Sequence, residues 1–154
     1  MPREEHLRAT LKNFRLIFRS VKKYSQWVEA QCGVSSAQLW AMWELLETPG
    51  LRVSGLAQAL SIHPSTASNL LDTLEKRALI QRERRGPDQR VVRLYLTATG
   101  LGLIGRAPRP AHGVLIDALK NLPGKTLRNL NADLGRLVSL MKVKDEAAAL
   151  EPFS

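Results

Sequence analysis

SGLAQALSIHPSTASNLLDTLEKRALIQRERRGPDQRVVRLYLT, residues 54–97, is the stretch whose reading decides the fold. Its first seven residues form a short apolar helix with Ser54 as the expected N-cap and Leu60 as its end. Ile62-His63-Pro64 leads into a second helix at 64–77, with proline at the first helical position, where its missing N–H is no loss. On that helix Ala67, Leu70, Leu71, Leu74 and Ala78 fall on one side. Ser65, Asn69, Asp72 and Lys76 fall opposite, flanked by Thr66, Ser68 and Thr73, and Asp72 and Lys76 are spaced to pair with each other. Further on, Val92, Leu94 and Leu96 alternate with Val91, Arg93 and Tyr95, the pattern of a half-buried strand. Gly86-Pro87-Asp88 is turn chemistry, so residues 81–97 read as a β-hairpin. A short helix, a tight turn and a second helix make a helix-turn-helix, and the hairpin behind it makes a winged one.

The flanks are helical. Leu7, Leu11, Phe14, Phe18, Val21 and Val28 recur at steps of three and four, with Ser25 in the remaining slot. Arg8, Lys12, Arg15, Arg19, Lys22 and Lys23 occupy the other faces, and Gly33 ends the helix. So narrow a seam suits packing against another helix. Ser35-Ser36-Ala37-Gln38 has the form of a capping box, opening a helix expected to bury Leu39, Met42, Trp43 and Leu46, with Trp40 on its flank. Thr97 caps a further helical region that Pro108 and Pro110 interrupt, which predicts a kink or unwound turn between Gly105 and Ala111. Pro123-Gly124 precedes a last helix carrying Leu127, Leu130, Leu134, Leu137, Val138 and Met141, and the tail after Lys144 is expected to fray. The fold class that follows is mainly α, with about six helices and a small hairpin wing.

Charge points to the partner. The chain has 154 residues, with 23 Lys and Arg against 14 acidic residues, a formal net charge of +9. From 76 to 93 there are seven basic residues (Lys76, Arg77, Arg82, Arg84, Arg85, Arg90, Arg93) and two acidic ones, Glu83 and Asp88. An arginine-tipped hairpin suits the minor groove, where the negative potential is strongest. Asp88 at that tip repels phosphate unless a neighbouring arginine holds it, which would leave Arg90 as the free reader. The hydroxyls of the second helix reach phosphates or bases, and the Asn69 amide matches adenine in two-pronged fashion. Hence Ser65, Thr66, Ser68 and Asn69 are expected in the major groove and Arg90 in the minor groove. Lys76, Arg82, Arg84 and Arg85 are expected on phosphate.

Other chemistries fit poorly. Gly100, Gly102 and Gly105 match G-x-G-x-x-G after a strand and before a helix. The strand is an amphipathic hairpin arm, however, three residues intervene before the first glycine, and no second parallel strand follows. Pro123-Gly124-Lys125-Thr126 lacks the glycine a P-loop needs at position 119, which is Leu119. His6, His63 and His112 are scattered without metal-ligand spacing, and no nucleophile elbow or catalytic carboxylate pair is present. No enzyme, metal or cofactor is expected. The single cysteine, Cys32, excludes an intrachain disulfide and is compatible with a reducing compartment. The amino terminus lacks the apolar core of a signal peptide, and no apolar stretch is long enough to span a bilayer, so a cytoplasmic location with no membrane partner is expected.

Residues 35–100 resemble the core of the MarR (multiple antibiotic resistance regulator) family. The most specific pieces are LDTLEKRALIQRER at 71–84, the D-x-R tip at Asp88-Gln89-Arg90 and the LT-x-x-G exit at 96–100. In helix order the resemblance runs over the whole chain. It implies an obligate-type homodimer through the first and last helices, with 1–34 and 98–154 as the dimerisation region and 35–97 as the DNA-binding module. It also implies a transcription regulator on a pseudo-palindromic operator, a repressor released by a small aromatic or phenolic effector. Trp27, Trp40 and Trp43 lie in the general region of that effector pocket. Some relatives sense peroxides through a thiol, which makes Cys32 a candidate redox site. The chain departs from the family at His63-Pro64, where relatives are more polar, and at Pro108 and Pro110. A winged helix used for protein or RNA contact is the competing reading; steep weakening of duplex binding with salt separates it from the DNA-binding one.

Overall fold

Polar punctuation and apolar period together set the elements. The computed structural model describes residues 2–84, 87–142 and 145–153. Helix α1 (Arg3–Cys32) ends at Gly33 in the left-handed conformation, φ 69°. Helix α2 (Ser36–Glu47) opens on a complete capping box: Ser35 Oγ accepts from the Gln38 amide N–H, and Gln38 Oε1 accepts from the Ser35 N–H. Helix α3 (Val53–Leu60) has its N-cap at Arg52, two residues ahead of the expected Ser54, with no side-chain cap, so Ser54 is inside the helix. Helix α4 (Pro64–Lys76) carries Pro64 in its first turn, as expected, and His63 as its N-cap. Strands β1 (Ile80–Glu83) and β2 (Arg93–Leu96) pair antiparallel, with Ile80 opposite Leu96 and Glu83 opposite Arg93. The chain at Leu51 bridges to the other side of β2 through hydrogen bonds to Leu94.

Beyond the wing, α5 (Ala98–Arg106) is capped by Thr97, whose side chain accepts from the Gly100 N–H. The prolines then break the helical region as foreseen: α5 stops at Arg106, and the chain re-enters a helix only at α6 (Val114–Lys120). That division raises the expected six helices to seven among the described residues, the last being α7 (Gly124–Met141). A 3-10 turn, Glu146–Leu150, follows, and residues 145–153 fold back on the body of the protein, where the sequence reading expected fraying.

The core lies where α2, α3, α4, α5 and the base of the wing meet. Leu39, Met42, Leu45, Leu56, Leu71, Leu74, Ile80 and Leu94 are fully buried there. Each such side chain removed from water stabilises the fold by about 1.5–3 kcal/mol. The buried face of α2 is rotated from the one expected: Leu45 is enclosed, Leu46 is exposed, and Trp43 is only half-buried. The reason is that α2 has neighbours on several sides, α1, α3, α4, α5 and β2, so no single stripe describes its burial. From α1 only Tyr24 and Val28 are buried, and from α7 nothing is. Gly100 makes the wing base possible, because a Cβ there would sit 2.2 Å from the Leu79 carbonyl oxygen.

Candidate nucleic-acid interface

The turn between α3 and α4 is tight for a local reason. Ser61 takes a left-handed conformation, φ 55°, Ile62 is buried beneath it, and His63 then caps α4 by accepting from the Ser65 N–H at Nδ1, 3.1 Å. The Ser65 hydroxyl lies 2.7 Å from the same ring nitrogen. With Ala67, Leu71 and Leu74 fixed in the core, the opposite side of α4 must face solvent. Ser65 and Asn69 are exposed there, and Thr66 and Ser68 are half-buried beside them. Among the described residues the Asn69 side-chain amide makes no hydrogen bond; the Thr73 hydroxyl donates to its backbone carbonyl instead. Its donor and acceptor are open to a partner. His63 was missed as part of this surface because a histidine cap has no sequence signature comparable to Ser or Asp.

The wing is braced against α4 rather than hung beside it. Arg82, half-buried, donates to Asp72 Oδ1 at 2.8 Å and lies 3.8 Å from Glu75 Oε1. The expected Asp72–Lys76 pair does not form. A surface pair four residues apart is worth only a few tenths of a kcal/mol, whereas Arg82 meets two carboxylates at once from a neighbouring strand. Arg82 is therefore a strut, and its expected place on phosphate is a less natural use of it. Arg84 donates to the Gln89 carbonyl at 2.6 Å and closes the tip of the hairpin. Arg85 lies outside the described residues. Lys76 is exposed at the last turn of α4.

At the tip itself, Asp88 is held, but by Arg90. The Arg90 N–H and Nε donate to Asp88 Oδ1 at 3.0 and 3.1 Å. The Arg90 side chain and backbone together hold the Asp88 carboxyl below the usual range, helped by Arg52, against a small opposing effect of burial. Arg90 is not the free reader that the sequence reading had it as. Its side chain is nonetheless 91% exposed, so the pair projects into solvent as a unit.

The three tryptophans do not share a site. A cavity of 360 Å³ lies between the later part of α1, the start of α2, residues 112–116 and the tail, and of the three only Trp40 lines it. Trp40 donates from Nε1 to Glu44 at 3.0 Å, and its ring faces His112 at 6.3 Å. Trp27 is exposed on α1, and Trp43 lies under the Arg109 guanidinium, 4.0 Å from its ring centre. Neither belongs to the cavity. Burial pushes the Cys32 thiol up, with Arg106 opposing, and this is the reverse of the thiolate stabilisation a peroxide sensor needs. Among the described residues no three His, Cys, Asp or Glu side chains cluster as a metal site, and no helix is long and apolar enough to cross a membrane.

A helix-turn-helix with a solvent-facing polar second helix, backed by a braced basic hairpin, defines a winged helix-turn-helix protein. Residues 34–92 match the model of the MarR family. Members of the family are transcription regulators rather than enzymes. The HTH-type transcriptional repressor MdtR of Bacillus subtilis (strain 168) is 37% identical over 68 residues, 44% of each chain. This chain thus spans less than half the length of MdtR in that match. The HTH-type transcriptional regulator YsmB of the same organism is 24% identical over 91% of this chain and 96% of its own. Among solved structures, the Staphylococcus aureus MepR–DNA complex superposes with a TM-score of 0.59 at 25% identity, over 83% of this chain and 93% of MepR.

Proposed function

We propose that the chain is a cytoplasmic, sequence-specific transcription regulator that binds duplex DNA as a homodimer. The observation that carries this reading is the pairing of an exposed, unengaged Asn69 on α4 with an arginine-bearing tip on a wing that Arg82 braces to the same helix. A braced wing holds two DNA-reading elements at fixed separation, which recognition of adjacent grooves requires. Ser65, Thr66, Ser68 and Asn69 read the major groove and Arg90, exchanged from Asp88, enters the minor groove. Lys76, Arg84 and Arg85 contact phosphate. The MepR–DNA complex supports this use of the fold.

Residues 35–97 act as the DNA-binding module, and residues 1–34 and 98–154 pair two copies. Leu7, Leu11, Phe18, Leu134, Leu137 and Val138 support the second role, being exposed apolar side chains on the two terminal helices. Two-fold pairing presents two α4 helices to half-sites about one helical turn apart, hence a pseudo-palindromic operator. Repression, the activity in the name of MdtR, follows if the bound dimer excludes polymerase. A small aromatic effector in the cavity beside Trp40 releases DNA by favouring a dimer geometry that does not fit the operator.

Selecting duplexes from a random pool tests the reading: inverted repeats are expected among those retained. Asn69→Ala should cost about 1–3 kcal/mol and relax one base position, while Arg90→Ala weakens all duplexes more evenly. Unchanged affinity in both variants would remove the contact map. Failure of the parent protein to retain any duplex at low salt would remove the function.

A further inference from the structure

The tail forms a contact that the DNA-binding reading does not use. The Leu150 carbonyl accepts the backbone N–H of His63, at 3.1 Å, across 87 positions of sequence. That N–H belongs to the N-cap of α4, the end of the helix nearest Ser65. Ala148, Ala149, Pro152 and Phe153 meanwhile form one wall of the cavity lined on other sides by Tyr24 and Trp40. None of residues 145–153 is buried, so the segment can leave without opening the core. It carries Asp145, Glu146 and Glu151 and no basic residue, in a chain of net charge +9.

We propose that residues 145–153 are an autoinhibitory strap against the N-cap of the recognition helix. The inference rests on the DNA-binding reading of α4. The first amide groups of a helix attract phosphate through their unpaired N–H dipoles. In the closed strap a carbonyl oxygen occupies one of them, and three carboxylates stand on the strap that delivers it. DNA approaching Ser65 must displace both. The cavity wall supplies the opposing hold: apolar contact of Phe153 and Pro152 keeps the strap shut, and an occupant touching that wall favours the shut form over the open one. The strap thereby links the cavity to the start of α4 without any movement of the core.

The test compares three proteins on a duplex recovered by selection with the full chain. These are the full chain, a chain ending at Lys142, and the full-length D145N/E146Q/E151Q variant. The shortened chain should bind about tenfold more tightly at low salt, the neutralised variant part-way, with both gains shrinking as salt rises. Amide exchange at His63, measured without DNA, should be slow in the full chain and fast in the shortened one. Thermal unfolding and sedimentation of all three check that the fold and the proposed pairing persist, and the neutralised variant keeps the question open to measurement if the shortened chain is unstable or fails to pair. Equal or weaker duplex binding by both altered chains overturns the strap, as does equal His63 exchange. If even the full chain binds no duplex, the DNA-binding reading fails first and autoinhibition falls with it, a result distinct from three proteins that bind alike.

Discussion

The central module and the terminal helices are both rich in apolar side chains but treat them in opposite ways. From α2 to β2, Leu39, Met42, Leu56, Leu71, Leu74 and Leu94 are enclosed by the chain itself. In α1 ahead of Val21, and throughout α7, no side chain is buried; Phe18 is 67% exposed and Leu137 38%. Large apolar side chains exposed in such number on two helices mark surface that another molecule can cover. The contrast teaches that stability of the module is internal, whereas the helical arms leave apolar side chains uncovered, as the proposed pairing of two copies requires. Substitutions should therefore divide into those that unfold the protein at any concentration and those whose effect depends on concentration.

The largest effect is expected in the module. Leu71→Ala should cost about 2–5 kcal/mol by leaving a cavity. Gly100→Ala should cost about 1–3 kcal/mol or more by driving a methyl group into the Leu79 carbonyl. Urea unfolding measures both, and losses below about 0.5 kcal/mol, the ordinary range for surface changes, would show that the core is not where the contrast places it. Next come the arms. Phe18→Glu and Leu137→Glu should each yield a monomer in sedimentation while the unfolding free energy of the isolated subunit moves by no more than about 0.5 kcal/mol. A stable dimer in either variant would break the comparison at its other half.

Where the two regions join, Tyr24 donates its hydroxyl to the Pro110 carbonyl at 2.6 Å. Burial, with Cys32 adding, pushes its pKa from 10.0 up to about 12. The folded protein thus keeps the proton where the unfolded chain has lost it. This contribution is complete below pH 10 and disappears as pH rises towards 12. Tyr24→Phe should cost about 1 kcal/mol near neutral pH and show a shallower decline across that alkaline window than the parent. An identical decline would assign the alkaline sensitivity to other groups. The smallest effect belongs to Arg82→Ala, about 0.5–1 kcal/mol because its ion pairs are partly solvated. Exchange of the β1 and β2 amides should nevertheless quicken, since the variant removes the strut between wing and α4.

What was legible in the sequence was whatever is encoded within a few residues. The Ser35–Gln38 capping box, Pro64 at the start of α4, Gly33 at the end of α1 and the proline break after α5 all depend on local backbone chemistry, and each stands where it was read. The winged fold followed from that order. Contacts between distant segments were not legible. Asp72 has a plausible partner four residues away, and nothing local announces that Arg82, ten residues on, offers a better one. Trp43 matched the buried stripe of α2, but a helix surrounded on several sides has no single stripe to match. Residues 145–153 lack any apolar period, so their return to the cavity could not be anticipated. Among the residues expected to touch DNA, Ser65 and Asn69 are on an open face, Arg82 is engaged in bracing, and Arg90 is held by Asp88.

The grip of Tyr24 on Pro110 also makes α1 a mechanical arm with a fulcrum. Ahead of it, residues 3–23, none of them buried, extend for roughly 30 Å at the usual helical rise. A pivot of about five degrees at Tyr24 carries the far tip by roughly 3 Å over that reach. In a pair of subunits clasped by those arms, the same geometry runs in reverse. A small sideways slip at the clasp is felt at the fulcrum as almost no displacement, only a turn, and the module turns with it.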